Sequence, residues 1–306
     1  MPEPLTVLRD MIARHCPDAS VRTAIPGLVF FRADAPTTPV DCVYEPRFCM
    51  IVQGSKQVML CDRIFDYDAS NYLIATVDLP VTGQVVKATP EEPYLALCLS
   101  IDPAQIASLL LEMHAERTDH GQLCRMCLSV SPLTQKILDP AARLVGLLDT
   151  PQDIPILAPM IVRELLYRLL QGDQGDVLRQ IASAESNLSQ INSAISWIRR
   201  HFTEQFDIAT VARIAGMSPS SFHRHFRAAT MMSPLQYRTR LRLQEARKRL
   251  MTEGADAAEV GFSVGYDSPS QFSREYRRMF GKPPVRDVSA IRIAPAVGSR
   301  MMTESV

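Results

Sequence analysis

The sequence has no apolar run long enough for a membrane-spanning helix, which needs roughly 20 consecutive apolar residues. Its N-terminus, Met1 to Leu8, carries Glu3 and lacks a basic region followed by an apolar one. These features argue against a transmembrane helix and against a signal peptide. We therefore expect a protein of the cytoplasm.

The sequence also lacks the cysteine pattern of a secreted, disulfide-bonded domain. Its seven cysteines are an odd set, and in a reducing compartment they are expected to be thiols. His120, Cys124 and Cys127 follow one another at i, i+4 and i+7, so they are weak candidates for a metal site. Gly121 argues against the helix that this site would need, and buried or incidental thiols remain the favoured alternative.

Positive charge is scarce in the first part of the chain, although the whole chain has a formal net charge of zero. Residues 1–186 hold 15 Lys and Arg against 23 Asp and Glu, a net charge of −8, and residues 187–306 hold 18 against 10, a net charge of +8. Opposite charges on the two halves are typical of a nucleic-acid-binding half joined to one that does not touch nucleic acid.

A ten-residue pattern occurs twice, at an offset of 50 residues. Residues 218–227 and 268–277 both fit S-P-S-x-F-x-R-x-[F/Y]-R. In each copy the first Ser is a natural helix N-cap and the Pro stands at the first helical position. The aromatic residues at i and i+4 form an apolar stripe, so the Arg and small polar residues point away from it.

Each copy follows a shorter helical stretch and a glycine. Residues 208–215 lead to Gly216, and residues 257–264 lead to Gly265. A helix, a short turn with glycine and a second helix make a helix-turn-helix motif. Between the two motifs, residues 234–251 are expected to form one helix capped by Ser233, with a length of about 27 Å.

Residues from about 193 to 288 resemble the tandem helix-turn-helix domain of the AraC/XylS family of bacterial transcription regulators. The resemblance depends on the two repeated segments, Gly265-Tyr266 and the closing segment 280–284. Carried over by position, it implies that the exposed polar residues of both recognition helices bind DNA. These are Ser220, His223, Arg224, Arg227, Ser270, Gln271, Ser273, Arg274 and Arg277. Base-edge contacts are implied for Ser220, His223, Arg224, Ser270, Gln271 and Arg274, and phosphate contacts are expected for Arg227 and Arg277.

Short runs that favour β-structure fill residues 25–101 and indicate a small antiparallel barrel or sandwich. The runs are 27–33, 48–53, 56–61 and 94–100. Later, an apolar helix is expected from Ala158 to Leu170. Residues 171–192 are expected to be mainly linker, although a helix over 177–184 is an alternative.

The stretch 43–132 resembles the N-terminal domain of one branch of the same family, through Tyr44-Glu45-Pro46, residues 51–56 and residues 77–81. The resemblance implies a cupin-like β-barrel followed by helices, used for effector response or for dimerisation. Region 25–101 contains no His, which argues against a cupin metal centre. We expect no enzyme and no cofactor. Candidate effector-binding residues are Tyr44, Arg47, Cys49, Lys56 and Tyr72.

The sequence thus predicts an α+β protein with two domains, a cupin-like domain at 1–185 and an all-α DNA-binding domain at 186–306. We expect a sequence-specific transcription regulator, and the resemblance favours an activator. Its expected partners are double-stranded promoter DNA, a small-molecule or redox effector, RNA polymerase and a second copy of the chain. The alternative is a DNA-binding regulator whose N-terminal domain only dimerises or binds a protein and has no small ligand.

Overall fold

A computed structural model of the chain describes residues 4–113, 126–183, 186–252 and 256–293. The chain forms two compact units, one ending at Ser189 and one beginning at Gln190. Within the described residues, every helix is too short or too polar to cross a membrane.

The first unit begins with helix α1 (Pro4–His15) and continues as antiparallel β-structure in two sheets. One sheet has the strand order β1-β2-β9-β4-β7-β10 and the other has the order β3-β8-β5-β6. This arrangement confirms the predicted small antiparallel β-domain. The strands are β1 Ser20–Arg22, β2 Leu28–Ala33, β3 Val40–Tyr44, β4 Arg47–Gln53, β5 Ser55–Leu60, β6 Arg63–Asp68, β7 Asn71–Ala75, β8 Leu79–Lys87, β9 Tyr94–Ser100 and β10 Leu128–Pro132.

The four β-favouring runs of the sequence correspond to β2, β4, β5 and β9. The other strands escape prediction because they are short or contain residues that single-sequence rules count against strands, such as Pro80 and Gly83 in β8. Gly54, between β4 and β5, has a φ of +82°, and a Cβ there would lie 2.4 Å from the carbonyl oxygen of Lys87. The turn at Gly54 therefore requires glycine.

Apart from α1, the helices of the first unit follow β9. They are α2 (Pro103–Glu112), α3 (Gln135–Gly146), α4 (Ile154–Leu170) and α5 (Gly175–Ala182), with β10 between α2 and α3 and two single-turn 3-10 helices between α3 and α4. Helix α4 begins four residues before the predicted start and continues through Pro159, with Pro155 in its first turn, where the missing N–H costs little.

The prediction of a linker over residues 171–192 is wrong for most of that segment, and the alternative of a helix over 177–184 is confirmed by α5 (Gly175–Ala182). Helix α5 occupies its centre, packs on α2 and buries Val177, Leu178 and Ile181. These apolar side chains recur at helical spacing among polar residues, so burial on one face outweighs the polar composition of the segment.

The second unit is entirely helical within the described residues. Helix α6 spans Asn187–Arg200, α7 Ile208–Ile214, α8 Pro219–Thr230, α9 Pro234–Thr252, α10 Ala257–Ser263, α11 Pro269–Phe280 and α12 Pro284–Ile293. Helices α7 and α8 form the first helix-turn-helix and α10 and α11 form the second, as predicted. Helix α9 connects them, and its predicted cap is confirmed because the Ser233 hydroxyl accepts from the Gln236 amide at 3.2 Å.

A buried arginine of α9 links three parts of this unit. The Arg242 guanidinium donates to the carbonyl oxygens of Phe202, Thr203 and Glu204, which follow the end of α6. Its Cζ also lies 5.7 Å from the ring centroid of Tyr266, in the turn of the second motif. The carbonyl oxygens satisfy donors that would be costly to bury without partners.

A second buried network joins α9, α11 and α12. The Arg247 guanidinium binds both carboxylate oxygens of Asp287, at 2.9 and 3.2 Å, and the Tyr276 hydroxyl donates to Asp287 Oδ2 at 2.9 Å. Arg247 also stacks over Phe280, with Cζ 4.5 Å from the ring centroid. A buried carboxylate is tolerated here because both of its oxygens have partners.

We predict that Gly265→Ala destabilises the second unit far more than Gly216→Ala. Both glycines have positive φ, +95° and +64°, so alanine at either position costs about 1–2 kcal/mol in backbone strain. At Gly265 a Cβ would also lie 2.1 Å from the Thr203 carbonyl oxygen and 2.7 Å from Arg242 Nη2, whereas at Gly216 the nearest such atom is 3.8 Å away.

Trp197, the single tryptophan, lies in α6 and reports unfolding of this unit by its fluorescence in a urea titration. We expect Gly265→Ala to lose more than about 3 kcal/mol in the free energy of unfolding, at the upper end of single-substitution effects. Equal losses for the two variants would contradict the close contact at Gly265.

Candidate nucleic-acid interface

Each recognition helix begins with the cap that the sequence predicts. The Ser218 hydroxyl accepts from the Ser221 amide at 3.3 Å at the start of α8, and Ser268 accepts from the Gln271 amide at 3.4 Å at the start of α11. Pro219 and Pro269 follow the caps. Both helix starts are therefore set by local chemistry.

The preceding helices are capped by aspartates. Asp207 accepts from the Thr210 amide at 2.6 Å at the start of α7, and Asp256 accepts from the Ala258 amide at 2.8 Å at the start of α10. The segment from Asp207 to Ser218 is one residue shorter than the segment from Asp256 to Ser268. The turn of the second motif is therefore one residue longer than that of the first. That extra residue lies next to Tyr266, which Arg242 contacts.

The predicted aromatic stripes of both recognition helices are buried. Phe222 and Phe226 meet with ring centroids 5.4 Å apart, and Phe226 also meets Tyr237 of α9 at 5.5 Å. Phe272 and Tyr276 repeat the arrangement in the second motif, at 5.6 Å. Such edge-to-face packing fixes the rotation of each helix about its axis and so determines which residues face outward.

All nine side chains predicted to bind DNA are exposed. On α8 and on α11 they occupy the side opposite to the aromatic stripe, in agreement with the helical periodicity. They are Ser220, His223, Arg224, Arg227, Ser270, Gln271, Ser273, Arg274 and Arg277. Each recognition helix therefore presents guanidinium, hydroxyl and amide or imidazole groups, the donors and acceptors that base edges and phosphates require.

His225, beside the predicted contact Arg224, is buried. Its Nε2 lies 3.4 Å from Arg224 Nη2. Burial, together with the positive charge of Arg224, lowers the pKa of His225, so a neutral imidazole faces the guanidinium. A neutral ring can accept from Arg224 and orient it. Sequence reasoning missed this contact because it depends on which way the ring turns.

Gln271 is held by Glu275, which sequence reasoning did not single out, and Glu275 is held in turn by Tyr266. Its amide donates to Glu275 Oε1 at 3.2 Å, and the Tyr266 hydroxyl donates to Glu275 Oε2 at 2.9 Å. The i,i+4 spacing of Gln271 and Glu275 on a helix is the sequence signal for the first bond. The second bond joins the turn of the motif to the recognition helix.

A basic recess of about 430 Å³ lies at the end of α11, beside the start of α12. Its lining contains three cationic side chains, of which sequence reasoning identified only the first: Arg277, Lys282 and Arg286. Gly281, with a φ of +78°, ends α11 and brings the chain back around the recess. Three cations around one concave surface suit a phosphate group.

In the first unit, four of the five candidate effector residues lie close together. The Arg47 guanidinium carbon lies 5.2 Å and the Lys56 ammonium 5.6 Å from the ring centroid of Tyr44. The positive charges of Arg47 and Lys56 both act on Cys49. Tyr44 is buried, and burial raises its pKa far above the usual value, so the hydroxyl is neutral.

Tyr72, the fifth candidate, is not part of this cluster. It is paired with Met50, next to Cys49 on β4, so it lies on the opposite face of the sheet. There its ring contacts Phe48 at 5.6 Å, and its hydroxyl accepts from Ser131.

The weak metal candidates His120 and Cys124 lie outside the described residues, and Cys127 is buried just before β10. Among the residues that are described, no three His, Cys, Asp or Glu side chains come together in a way that could hold a metal ion.

Comparison with known proteins agrees with both units. Residues 24–177 match the family described as the N-terminus of AraC-type transcriptional regulators, and residues 211–287 match a helix-turn-helix domain. The transcriptional activator RhaS of Salmonella schwarzengrund is 28% identical over 159 residues, which cover 51% of this chain and 55% of RhaS. RhaS of Salmonella agona is 29% identical over 160 residues, with the same coverage. The matched segment thus spans about half the length of these relatives.

The fold has a counterpart among solved structures. A ToxT variant of Vibrio cholerae, crystallised without ligand, aligns over 88% of this chain and 99% of its own, with 10% identity and a TM-score of 0.51. The AraC-type match covers half of the chain, and the helix-turn-helix match covers the part that carries both recognition helices. The chain therefore belongs to the AraC family of DNA-binding transcriptional regulators.

Proposed function

We propose that this chain is a promoter-binding transcription activator that reads DNA with α8 and α11 together. The observation that carries the proposal is the exposed polar face of the two capped recognition helices, each with two arginines, in the half of the chain with a net charge of +8. Cations on this half supply affinity for the duplex, and the side chains on the helix faces supply sequence preference.

In this proposal the base-reading groups are Ser220, His223 and Arg224 on α8 and Ser270, Gln271 and Arg274 on α11. An arginine can bind guanine O6 and N7 with two hydrogen bonds, and glutamine can do the same with adenine. Ser220 and His223 are short, so α8 is expected to read fewer bases directly. Arg227, Ser273 and Arg277 contact the sugar-phosphate backbone.

The connecting helix has a suitable length for two successive contacts. Helix α9 has 19 residues, which correspond to about 28 Å at 1.5 Å per residue. Successive major-groove segments on one side of a duplex are about 34 Å apart. A connecting helix of this length supports a site with two boxes about one helical turn apart.

We infer activation, as opposed to repression, from the relatives. Both RhaS proteins are named transcriptional activators, so we propose that this chain also activates, with RNA polymerase as its protein partner on the promoter. Action on promoter DNA implies a protein of the cytoplasm, and no catalytic activity is required.

We propose residues 1–185 as the controlling domain and residues 186–306 as the DNA-binding domain. Control would act through an effector near Tyr44, Arg47, Cys49 and Lys56, the cluster that combines two cations with an aromatic ring and a thiol. The alternative is a domain that only dimerises or binds a protein.

Dimerisation is supported by α4. Four of its large apolar side chains are exposed and lie within one broad side of the helix, with exposed fractions of 70% for Ile156, 40% for Leu157, 63% for Met160 and 37% for Tyr167. An exposed apolar stripe on a helix is a natural surface for an isologous pair, in which the same helix of a second copy covers it.

We predict that Arg224→Ala and Arg274→Ala each weaken binding to the selected DNA site. The loss of a bidentate base contact is worth about 1–3 kcal/mol, or about 5- to 150-fold in affinity. The site is first selected from genomic fragments with the unaltered protein, and affinity is then measured by fluorescence anisotropy at near-physiological salt. Arg63→Ala, which removes an exposed arginine from the first unit, is the control and should keep full affinity.

Equal losses on the selected site and on random duplex would show that these arginines contact phosphates instead of bases. Failure of the unaltered protein to enrich any sequence, with or without cell extract as a source of effector, would contradict the proposed function.

Removal of a cation from the basic recess is predicted to affect DNA binding differently from removal of a base-reading arginine. Lys282→Ala and Arg286→Ala should weaken binding to all sequences alike and should each reduce the slope of log affinity against log salt by about 1. The measurement is a salt titration on the selected site and on random DNA. An unchanged slope would exclude the recess as a phosphate contact.

The dimer is tested by sedimentation at micromolar concentration. We expect the unaltered chain to sediment as a dimer and Met160→Glu to sediment as a monomer, because a charge at the centre of an apolar contact is costly to desolvate. Leu111→Glu, on α2 and 80% exposed, serves as control and should remain dimeric. A monomer for the unaltered chain would exclude α4 as a stable interface.

A further inference from the structure

Two cysteines face each other across neighbouring strands of the first unit. Cys49 on β4 and Cys98 on β9 are directly paired in register, and their sulfur atoms lie 2.8 Å apart. Residues directly opposite in an antiparallel pair have Cα atoms about 4.5–5.5 Å apart, which is within the range that a disulfide spans. A bond between the two sulfurs therefore needs no change of strand register.

The two thiols differ in chemistry. A hydrogen bond from Cys49, followed by the positive charges of Arg47 and Lys56, lowers the pKa of Cys98, although burial opposes this. Burial and the neighbouring Cys98 raise the pKa of Cys49 far above its usual value. The pKa values of the two sulfurs are therefore shifted in opposite directions, that of Cys98 downward and that of Cys49 upward.

The two cations are available to stabilise a thiolate. Arg47 is two residues from Cys49 and so lies on the same face of β4, and Lys56 belongs to β5 in the other sheet. Within the described part of the chain, neither Arg47 nor Lys56 forms an ion pair with a carboxylate. The positive charges of Arg47 and Lys56 favour a thiolate at Cys98.

The two cysteines are only slightly exposed to solvent. Cys49 is 1% exposed, whereas Cys98 is partly exposed. Burial raises the pKa values of the tyrosines Tyr44, Tyr67 and Tyr94, and the nearby Cys49 and Cys98 raise them further, so all three hydroxyls are neutral. We therefore expect a small neutral oxidant to reach Cys98 more readily than Cys49.

Two other cysteines provide a contrast. Burial raises the pKa of Cys16 and of Cys42 to about 12, so both are protonated at neutral pH. Protonated buried thiols react slowly with oxidants. The reactivity expected of the Cys49–Cys98 pair therefore comes from the pairing of its sulfurs and from the neighbouring cations. This reactivity is not shared by all thiols of the unit.

We propose that Cys49 and Cys98 form a reversible modification site for hydroperoxides, in which Cys98 is the reacting thiol and Cys49 the resolving thiol. The proposal concerns chemistry within the first unit and does not depend on DNA binding. It goes beyond the proposed function by naming a reaction, and any effect on transcription would be a separate consequence.

The steps balance with a hydroperoxide as oxidant. The Cys98 thiolate attacks the terminal peroxide oxygen, the O–O bond breaks, and the leaving oxygen takes up a proton to form water or an alcohol. Cys98 is then a sulfenic acid. The Cys49 sulfur attacks the Cys98 sulfur, the S–S bond forms and water leaves. The two cysteines lose two electrons and two protons, and a dithiol reductant restores them by thiol–disulfide exchange.

The test treats the reduced, full-length protein with hydrogen peroxide, blocks the remaining thiols with N-ethylmaleimide and maps peptides by mass spectrometry. We expect a peptide pair joined through Cys49 and Cys98, lost after treatment with dithiothreitol. Cys42→Ser should leave the crosslink unchanged. Cys49→Ser should leave a sulfenic acid on Cys98 that dimedone traps, whereas Cys98→Ser should give no trapped product at Cys49.

A second test, which does not require crosslinking, measures how substitution of each cation changes the rate of oxidation of Cys98. Arg47→Gln and Lys56→Gln should each slow the reaction of Cys98 with hydrogen peroxide by about three- to tenfold, since the thiolate fraction changes tenfold for each unit of pKa. Circular dichroism checks that each variant is folded. Oxidation of Cys16 or Cys42 at the same rate as Cys98, a crosslink between a different pair, or resistance of folded protein to peroxide would each overturn the proposal.

Discussion

The geometry of the DNA-binding unit depends on one buried guanidinium. Arg242 lies in α9, the helix that connects the two motifs, and binds the carbonyl oxygens of Phe202, Thr203 and Glu204 after α6. It also lies against Tyr266 in the turn of the second motif. Since these carbonyl oxygens and the turn are far apart in the chain, the arginine fixes α6, α9 and the second motif relative to each other.

The two sides of each recognition helix have different roles. Their aromatic sides pack into the unit and set the rotation of each helix, so the outward residues are determined by burial on the other side. The outward side chains are supported by inner ones: His225 faces Arg224, and Glu275 connects Gln271 to Tyr266. Bonds of this kind hold donors in place before DNA arrives, which reduces the entropy lost on binding.

The first unit differs from the second, because a cluster within it combines neutral polar groups with two cations. Tyr44, Arg47, Lys56 and the two paired thiols come from both sheets, and the hydroxyls are neutral. An interior with this composition suits chemistry at sulfur as well as recognition of an anionic group.

Much of the DNA-binding unit was readable from the sequence, because its signals are local. Ser218 and Ser268 cap within three residues, and the aromatic stripes recur every four, so the helix starts and the exposed faces follow from the pattern alone. The apolar run of α4 was found for the same reason. The sequence therefore determined the two motifs and their nine outward side chains.

Tertiary structure decided what depends on residues distant in the chain. Cys49 and Cys98 are 49 positions apart and meet only through the register of β4 and β9, and Tyr72 falls on the opposite face for the same reason. Arg242 finds its carbonyl partners 38 to 40 positions away. Such pairings follow from strand order and helix packing, which are set by burial across the whole unit and leave no periodic signal in the sequence.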